Sequence, residues 1–328
     1  MGVSELFGGI DIGGTKCAAS LGRPTADSIE IIGKKTFPTP STPEETLATL
    51  SLALDDLLRE HESEGRGALQ SIGVSCGGPL DSARGLVLSP PNLPGWDRID
   101  VVAPWRERYG VPAALQNDAN ACALAEWKWG AGRGTRNMVF LTFGTGMGAG
   151  LILNGRLYAG TNDMAGEVGH IRMEESGPLG YGKEGSFEGF CSGGGIALLA
   201  RCRLDEWLKL GYKTMLQDGD PKEITAKRVG EAAQAGDELA LAIIGTVARQ
   251  LGRGLAVLID VLNPEVIVIG SIYTRQESLL APLVLRELRK EALPRSLNVC
   301  RIVPAGLGEK IGDAAGLSVA LLALEQQA

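Results

Sequence analysis

The chain has 328 residues, a net charge of −7, 44% hydrophobic and 22% charged residues. That length exceeds one ordinary core and suits two domains, while the composition is that of a soluble globular protein. The acidic balance, with a pI near 5.1, argues against nucleic acid as the main partner, because phosphate backbones are bound by basic faces. No apolar run approaches the roughly 20 residues that cross a bilayer, so no membrane partner is expected. The opening MGVSELFGGIDIGG has neither the basic start nor the cleavage site of a secretion signal. Leu6 stands where N-myristoylation needs Ser or Thr. The six cysteines, Cys17, Cys76, Cys122, Cys191, Cys202 and Cys300, show no CxxC spacing. They read as reduced, mostly buried thiols of a cytoplasmic protein, not as a zinc ribbon or disulfide framework.

In chain order, LFGGIDIGGTKCAASL (6–21) reads as strand, glycine turn, strand. A helix starts at TPEETLATLSLALDDLLRE, where Thr42 caps, Pro43 takes the first helical position and Glu45 completes a capping box. SIGVSC is a buried strand ending in GGP, residues 113 to 116 form another apolar run, and DANACALAEWKWG is helical. NMVFLTF is a strand, followed by glycines and a second strand, GLILNGRLY, with a hairpin signal at Asn154-Gly155. A long helix through DELALAIIGTVARQLGRGLAVLIDVLN precedes the strand VIVIG, and a last helix runs through GLSVALLALEQQ. Strands and helices alternate, so the chain is expected to be an α/β protein with layered sheets. A division falls near residues 117 to 120. The motif strand, glycine turn, strand occurs near residue 13 and again near residue 146.

Neither glycine turn fits a familiar nucleotide loop. In GIDIGGTK, Gly9 and Gly14 have P-loop spacing, but Thr15-Lys16 stands where Lys-Thr or Lys-Ser is needed, and CAASL reads as strand instead of helix. FGTGMGAG has glycines at 144, 146, 148 and 150, but a strand follows it too, so the Rossmann context fails. Glycines at a hairpin bend instead let backbone N–H groups converge on an anion. Thr15 and Thr145 add hydroxyl donors, and Asp11 is suited to Mg²⁺, directly or through water. Two such hairpins across a cleft would clamp a polyphosphate.

DIGGTK at 11–16, LQNDANACALAEWKWGAG at 115–132, LTFGTGMGAGLILNGRLYAG at 141–160 and GEVGH at 166–170 resemble the motifs of the ROK family. VIVIG at 266–270 and GDAAGLSVA at 312–320 extend the resemblance in the family's order. That family contains sugar kinases and related transcriptional repressors. The resemblance implies an actin-like (ribonuclease-H-like) ATPase fold with two α/β domains around a cleft. Residues 1–118 plus 314–328 would form the small N-terminal domain, and residues 119–313 the large C-terminal one. By the same resemblance Asp11, Gly13, Gly14, Thr15 and Lys16 fall in the first phosphate motif. Gly144, Thr145, Gly146 and Gly148 fall in the second, and Gly270 and Ser271 in the adenosine motif. Asp118 would be the catalytic base, with Gly78, Asn92, Asn117, Glu167, His170 and Glu188 contacting the sugar. These residue types suit a ring of hydroxyls, and a carboxylate beside the attacking hydroxyl can accept its proton. For Asp118 taken alone, a helix N-cap is the commoner role, and the two roles can coexist. Trp96, Trp105, Trp127 and Trp129 are expected in packing, His61 in solvent, and Cys191 and Cys202 as buried thiols.

The chain departs from the family at its zinc loop. Counting back from Glu188, the positions of the family's three zinc cysteines are Leu179, Tyr181 and Ser186, none of which supplies a thiolate. No zinc is expected, and the apolar bulk of Leu179, Tyr181 and Phe187 is expected to replace it. The leading function is ATP-dependent, Mg²⁺-assisted phosphorylation of a hexose, glucose at its 6-hydroxyl first among them. N-acetylmannosamine, N-acetylglucosamine, allose, mannose and fructose kinases of the family share these ligands. A repressor would need an added helix-turn-helix, for which the ten residues before DIGGTK leave no room. An inert sugar-binding relative is disfavoured by the intact Asp118 and both hairpins. A homodimer is left open.

Overall fold

The first glycine turn is a β-hairpin: β1 (Glu5–Ile12) turns through residues 13–15 into β2 (Lys16–Pro24), with Ile12 opposite Cys17. This computed structural model describes residues 5–25, 28–62 and 67–326. The leader and myristoylation readings, so far as they rest on residues 1–4, lie outside that set, as do the last two residues of the expected small domain. After β2 come β3 (Ile29–Pro38), α1 (Pro43–Glu62), β4 (Ala68–Cys76), a small sheet of β5 (Leu80–Asp81), β6 (Leu86–Leu88) and β7 (Asp97–Asp100), α2 (Ala103–Tyr109) and β8 (Ala113–Asn117). The main strands pair in the order β3-β2-β1-β4-β8. Thr42 caps α1 as expected, its hydroxyl accepting from the Glu45 N–H at 3.2 Å.

The second half repeats the plan. Helix α3 (Asp118–Trp129) leads to β9 (Met138–Leu141), β10 (Ala149–Leu153) and β11 (Arg156–Tyr158), then to a minor hairpin of β12 (Leu179–Gly180) and β13 (Lys183–Glu184). Helices α4 (Phe187–Phe190), α5 (Gly193–Lys209), α6 (Ala226–Gln234) and α7 (Glu238–Leu262) follow, then β14 (Val266–Ile269), α8 (Ile272–Arg275), α9 (Glu277–Glu291), α10 (Pro294–Leu297), β15 (Arg301–Pro304) and α11 (Ile311–Glu325). The sheet order is β11-β10-β9-β14-β15. In each sheet a three-strand antiparallel meander is joined to two further parallel strands. The echo read near residues 13 and 146 is therefore a duplicated sheet topology. The hairpin at Asn154-Gly155 is present, with positive φ at both residues and Leu153 opposite Arg156, the geometry of a two-residue primed turn.

Parallel pairing fixes where a ligand can go. Ile12, Cys76 and Asn117 sit side by side at the carboxyl ends of β1, β4 and β8, and Leu141 and Ile269 do so in the other sheet. Clefts form outside such ends, so Asp11, Gly77-Gly78 and Asp118 gather at one edge and the second glycine turn and Gly270-Ser271 at another. Helices α3 and α11 bridge the two sheets through one apolar cluster containing Leu124, Met138, Phe140, Val268, Val319 and Ala323. We propose residues 1–118 with 314–328 as the small lobe and 119–313 as the large one. The fully buried Glu126 stitches this junction, its carboxylate accepting from the N–H groups of Ala131, Gly306 and Leu307 at 2.8–3.0 Å. Helix α7 is long and apolar enough to cross a bilayer by composition, but most of its apolar stretch is buried in the large-lobe core.

Two surface readings change. His61 is 8% exposed instead of solvated, because α1 continues to Glu62 and places it on the Leu50, Leu54 and Leu57 face at helical spacing. Cys202 is exposed, since the buried face of α5 runs through Ile196, Leu199, Ala200 and Leu204 instead. Trp96 and Trp105 are buried as expected, the Trp127 indole donates to the Thr135 carbonyl at 2.7 Å, and Trp129 is half-buried.

Helix α11 lies against the small-lobe sheet at backbone contact. A Cβ on Gly73 would stand 2.1 Å from the Gly316 carbonyl oxygen and 2.2 Å from the Ala320 nitrogen. Gly73→Ala is therefore expected to lower the urea-denaturation free energy by about 1–3 kcal/mol, the usual cost of overpacking. Gly312→Ala on the same helix, where nothing lies within 4 Å of the added atom, is expected to be neutral or stabilising by up to about 1 kcal/mol.

Candidate active site

Between the two sheet edges opens a cavity of about 600 Å³, lined by Gly78, Asn117 and Asp118 from one side and by the second glycine turn, Glu167, His170 and Glu188 from the other. A second cavity of about 470 Å³ continues from it, sharing Gly144 and Thr145 and reaching Ser271. Local chemistry places the central pair. Asn117 is the N-cap of α3, its Oδ1 accepting from the Asn120 N–H at 2.7 Å, so Asn117 and not Asp118 performs the capping. Its amide nitrogen keeps its donors for a ligand. Asp118 is the first helical residue, where the helix dipole favours a carboxylate, and its Oδ1 accepts from the Ala119 N–H at 2.8 Å.

Asp118 opens onto the cleft yet is surrounded by protein at its floor, and this desolvation pushes its carboxyl above the usual range despite the Ala119 hydrogen bond. Asp11 is raised as well, to about 6, first by burial and then by the negative charge of Asp118, with Lys34 opposing. Lys34 itself forms an ion pair with Asp313 at the start of α11. Glu167 is also raised, first by burial and then by Asp118, with His170 opposing. The site is thus a group of carboxylates that disfavour one another's charge.

Glu188 ties the first cavity to the second glycine turn. Its Oε2 accepts from the Met147 N–H at 2.9 Å, and a side chain on Gly146 would meet that same oxygen at 2.9 Å. The second glycine turn is therefore bare where the carboxylate reaches it. The turn is braced by Thr142 Oγ1 accepting from the Gly148 N–H at 2.8 Å and by the Gly193 N–H donating to the Gly144 carbonyl at 2.7 Å.

The loop between His170 and Glu188 is held by hydrogen bonds. Leu179 and Tyr181 are 53% and 65% exposed, so the expectation that they would fill the zinc position is corrected; of the three bulky residues only Phe187 is buried. Both exposed residues lie in the short β12–β13 hairpin, with Gly180 opposite Lys183, and it is Gly180 that is buried, packed against Gly189 of α4. Ser186, also buried, caps α4 by accepting from the Gly189 N–H and donates to the Gly180 carbonyl. Lys183 Nζ donates to the His170 carbonyl at 2.6 Å, and the Tyr181 ring stands edge-on to His170 at 5.5 Å. Among the described residues no group of three or more His, Cys, Asp or Glu side chains could hold a metal ion.

Not every expected residue lines a cavity. Asn92 is exposed and packs beside Gly77, its carbonyl oxygen against Gly14. Gly13, Gly14, Thr15 and Lys16 form the first hairpin at the same sheet edge but outside both cavity walls, Lys16 with an exposed side chain. Gly270 lies behind Ser271 against Phe140. Conversely, Thr142, Asp163 and Met164 in the first cavity and Gly193, Gly194 and Lys227 in the second escaped the sequence reading. The run SGGG at 192–195 before a helix was the available signal for Gly193 and Gly194. Asp163 had none, because only folding brings its loop to the mouth.

A divalent cation fits the acid end of this site. A half-buried carboxylate raised to about 6 is one whose ionised form a cation stabilises, and magnesium takes one or two carboxylates with the rest of its shell from water and phosphate. Asp11 would hold it, and bound there it would neutralise developing phosphate charge.

Two lobes of repeated sheet topology meeting at a shared cleft define the actin-like ATPase fold. The chain belongs to the ROK family, which it matches over residues 7–324. It is 31% identical over 307 residues to a glucokinase of Streptomyces coelicolor, covering 93% of this chain and 94% of that one. It is 30% identical, with a TM-score of 0.75, to the crystal structure of a ROK family glucokinase from Streptomyces griseus in complex with glucose and AMPPNP, covering 97% and 99% of the two chains. The DNA-binding transcriptional repressor Mlc of Escherichia coli is 32% identical over 228 residues, 69% of this chain and 54% of the repressor. These relatives support a sugar kinase.

The raised Asp11 makes a prediction with a definite sign. Its folded pKa of about 6 lies above the ordinary 3.8, so its contribution to stability is full below about 3.8 and is lost as the pH rises through 6. Asp11→Asn is expected to raise Tm by a few degrees at pH 8 and to leave it unchanged near pH 4, read by differential scanning calorimetry. A lower Tm at pH 8 would show that the charge is compensated in the free protein.

Proposed function

We propose that the protein transfers the γ-phosphoryl group of ATP to a hexose, glucose at its 6-hydroxyl, with Asp118 as the general base. The observation that carries this is the placement of Asp118 on the floor of the first cavity, between the second glycine turn and Glu167, His170 and Glu188. A hydroxyl bound there lies beside a carboxylate that desolvation makes more basic and that can accept its proton. Asn117, Glu167, His170 and Glu188, with Gly78 and Asn92 at the edge, would present donors and acceptors to the remaining hydroxyls. The hairpins at Gly13–Thr15 and Gly144–Gly148 would receive the phosphates, and the second cavity, with Gly270-Ser271 at its end, the adenosine. Phosphoryl transfer asks for such positioning and charge neutralisation more than for covalent chemistry. We place the enzyme in the cytoplasm, in keeping with its free thiols.

The choice among hexoses is tested by a panel of glucose, mannose, fructose, allose, N-acetylglucosamine and N-acetylmannosamine, with ADP and sugar phosphate measured together. Glucose is expected to give the highest kcat/KM, with glucose 6-phosphate as product. Transfer to another hexose instead would move the substrate assignment, and sugar binding by calorimetry with no transfer to any of them would overturn the kinase reading.

A further inference from the structure

Two hydrogen bonds cross the mouth of the first cavity from one lobe to the other. Ser82, in the turn after β5 on the small lobe, donates its backbone N–H to Asp163 Oδ2 at 2.8 Å and its hydroxyl to Asp163 Oδ1 at 2.7 Å. Both carboxylate oxygens are thus used on one residue, and bonds to an ionised acceptor are the stronger kind. Asp163 sits at the tip of the loop after β11, in left-handed backbone with φ of 62°, a conformation that a non-glycine residue keeps only when its surroundings hold it.

The loop is closed on itself below the tip. The Ala165 N–H donates to the Ala159 carbonyl at 3.0 Å, and the Ala149 N–H to the Gly166 carbonyl at 2.8 Å. A Cβ on Gly166 would stand 2.0 Å from the Ala149 carbonyl oxygen, so the loop's exit is fixed directly on β10. Residue 167 follows at once. Asp163, Met164, Gly166 and Glu167 all line the cavity, and Leu80, two residues before Ser82, lines it from the opposite lobe.

We propose that the Ser82–Asp163 pair is an interlobe clasp that holds the 159–166 loop over the sugar site, making Asp163 a positioning residue for acceptor binding and for water exclusion. This rests on the kinase reading above and goes beyond it. Lobe closure at the acceptor end would be set by these two bonds, while the phosphate end stays free to open for nucleotide. Asp163 touches neither reacting atom; it acts through the loop that carries Glu167. With the clasp open, water reaches the phosphoryl group and competes with the sugar hydroxyl.

Asp163→Ala, Asp163→Asn and Ser82→Ala test the proposal on the full chain with the best hexose of the panel. Losing a charge-assisted bond corresponds to about tenfold or more, so Asp163→Ala is expected to raise the hexose KM about tenfold with a smaller change in kcat. ADP release is expected to exceed sugar phosphate formed. Ser82→Ala should do less, because its backbone N–H still donates, and adding it to Asp163→Ala should change nothing further. A merely structural role would lower Tm and kcat together and keep ADP equal to sugar phosphate; that outcome, or a wild-type KM in Asp163→Ala, overturns the clasp. Hydrogen exchange without ligands separates this from the kinase reading. Amides of residues 160–167 should exchange faster in Asp163→Ala than in wild type whether or not any hexose is phosphorylated, and unchanged exchange also overturns the clasp.

Discussion

Desolvated negative charge at the meeting point of the two lobes is the constraint around which this protein is built. Asp11, Asp118 and Glu167 each have raised pKa values, with burial as the leading cause and the Asp118 charge second for Asp11 and Glu167. A core of this size could have closed over such positions with apolar residues. Instead it keeps carboxylates whose charge burial disfavours and that a cation or a ring of hydroxyls would satisfy.

The fold brings those charges together by repetition. Two sheets of the same strand order present their parallel carboxyl ends to one cleft, and each has a hairpin at that end. The join is rigid because α11 touches the small-lobe sheet through Gly73 and Gly316 and because Glu126 satisfies three backbone N–H groups between α3 and the segment leading to α11. Glu188 then links the first cavity to the second glycine turn, lining the one while accepting from the Met147 N–H of the other.

Much of this was legible in the residues, for identifiable reasons. Glycine hairpins, the Asn154-Gly155 turn and the Thr42 cap are local signals, and each appears where its chemistry requires it. Asn117 and Asp118 were read as a working pair, but which of them caps α3 depends on one residue of register that propensity does not resolve. The errors arose where tertiary context decides. His61 looked solvated amid charged neighbours, yet its helical phase carries it inward. The loop at 171–187 kept the glycine outline of a metal site, and bulk was assumed to fill it. Hydrogen bonds from Ser186 and Lys183 hold it instead, leaving Leu179 and Tyr181 at the surface. Long-range partners such as Ser82 and Asp163 leave no trace in a single sequence.

The Asp118 carboxylate is proposed to take the proton of the attacking hydroxyl. Single-turnover phosphoryl transfer by Asp118→Asn, with sugar and nucleotide binding followed in parallel by calorimetry, tests this role. Transfer is expected to slow by about 10²–10⁴-fold while both ligands still bind. Transfer at the wild-type rate would rule out Asp118 as the base.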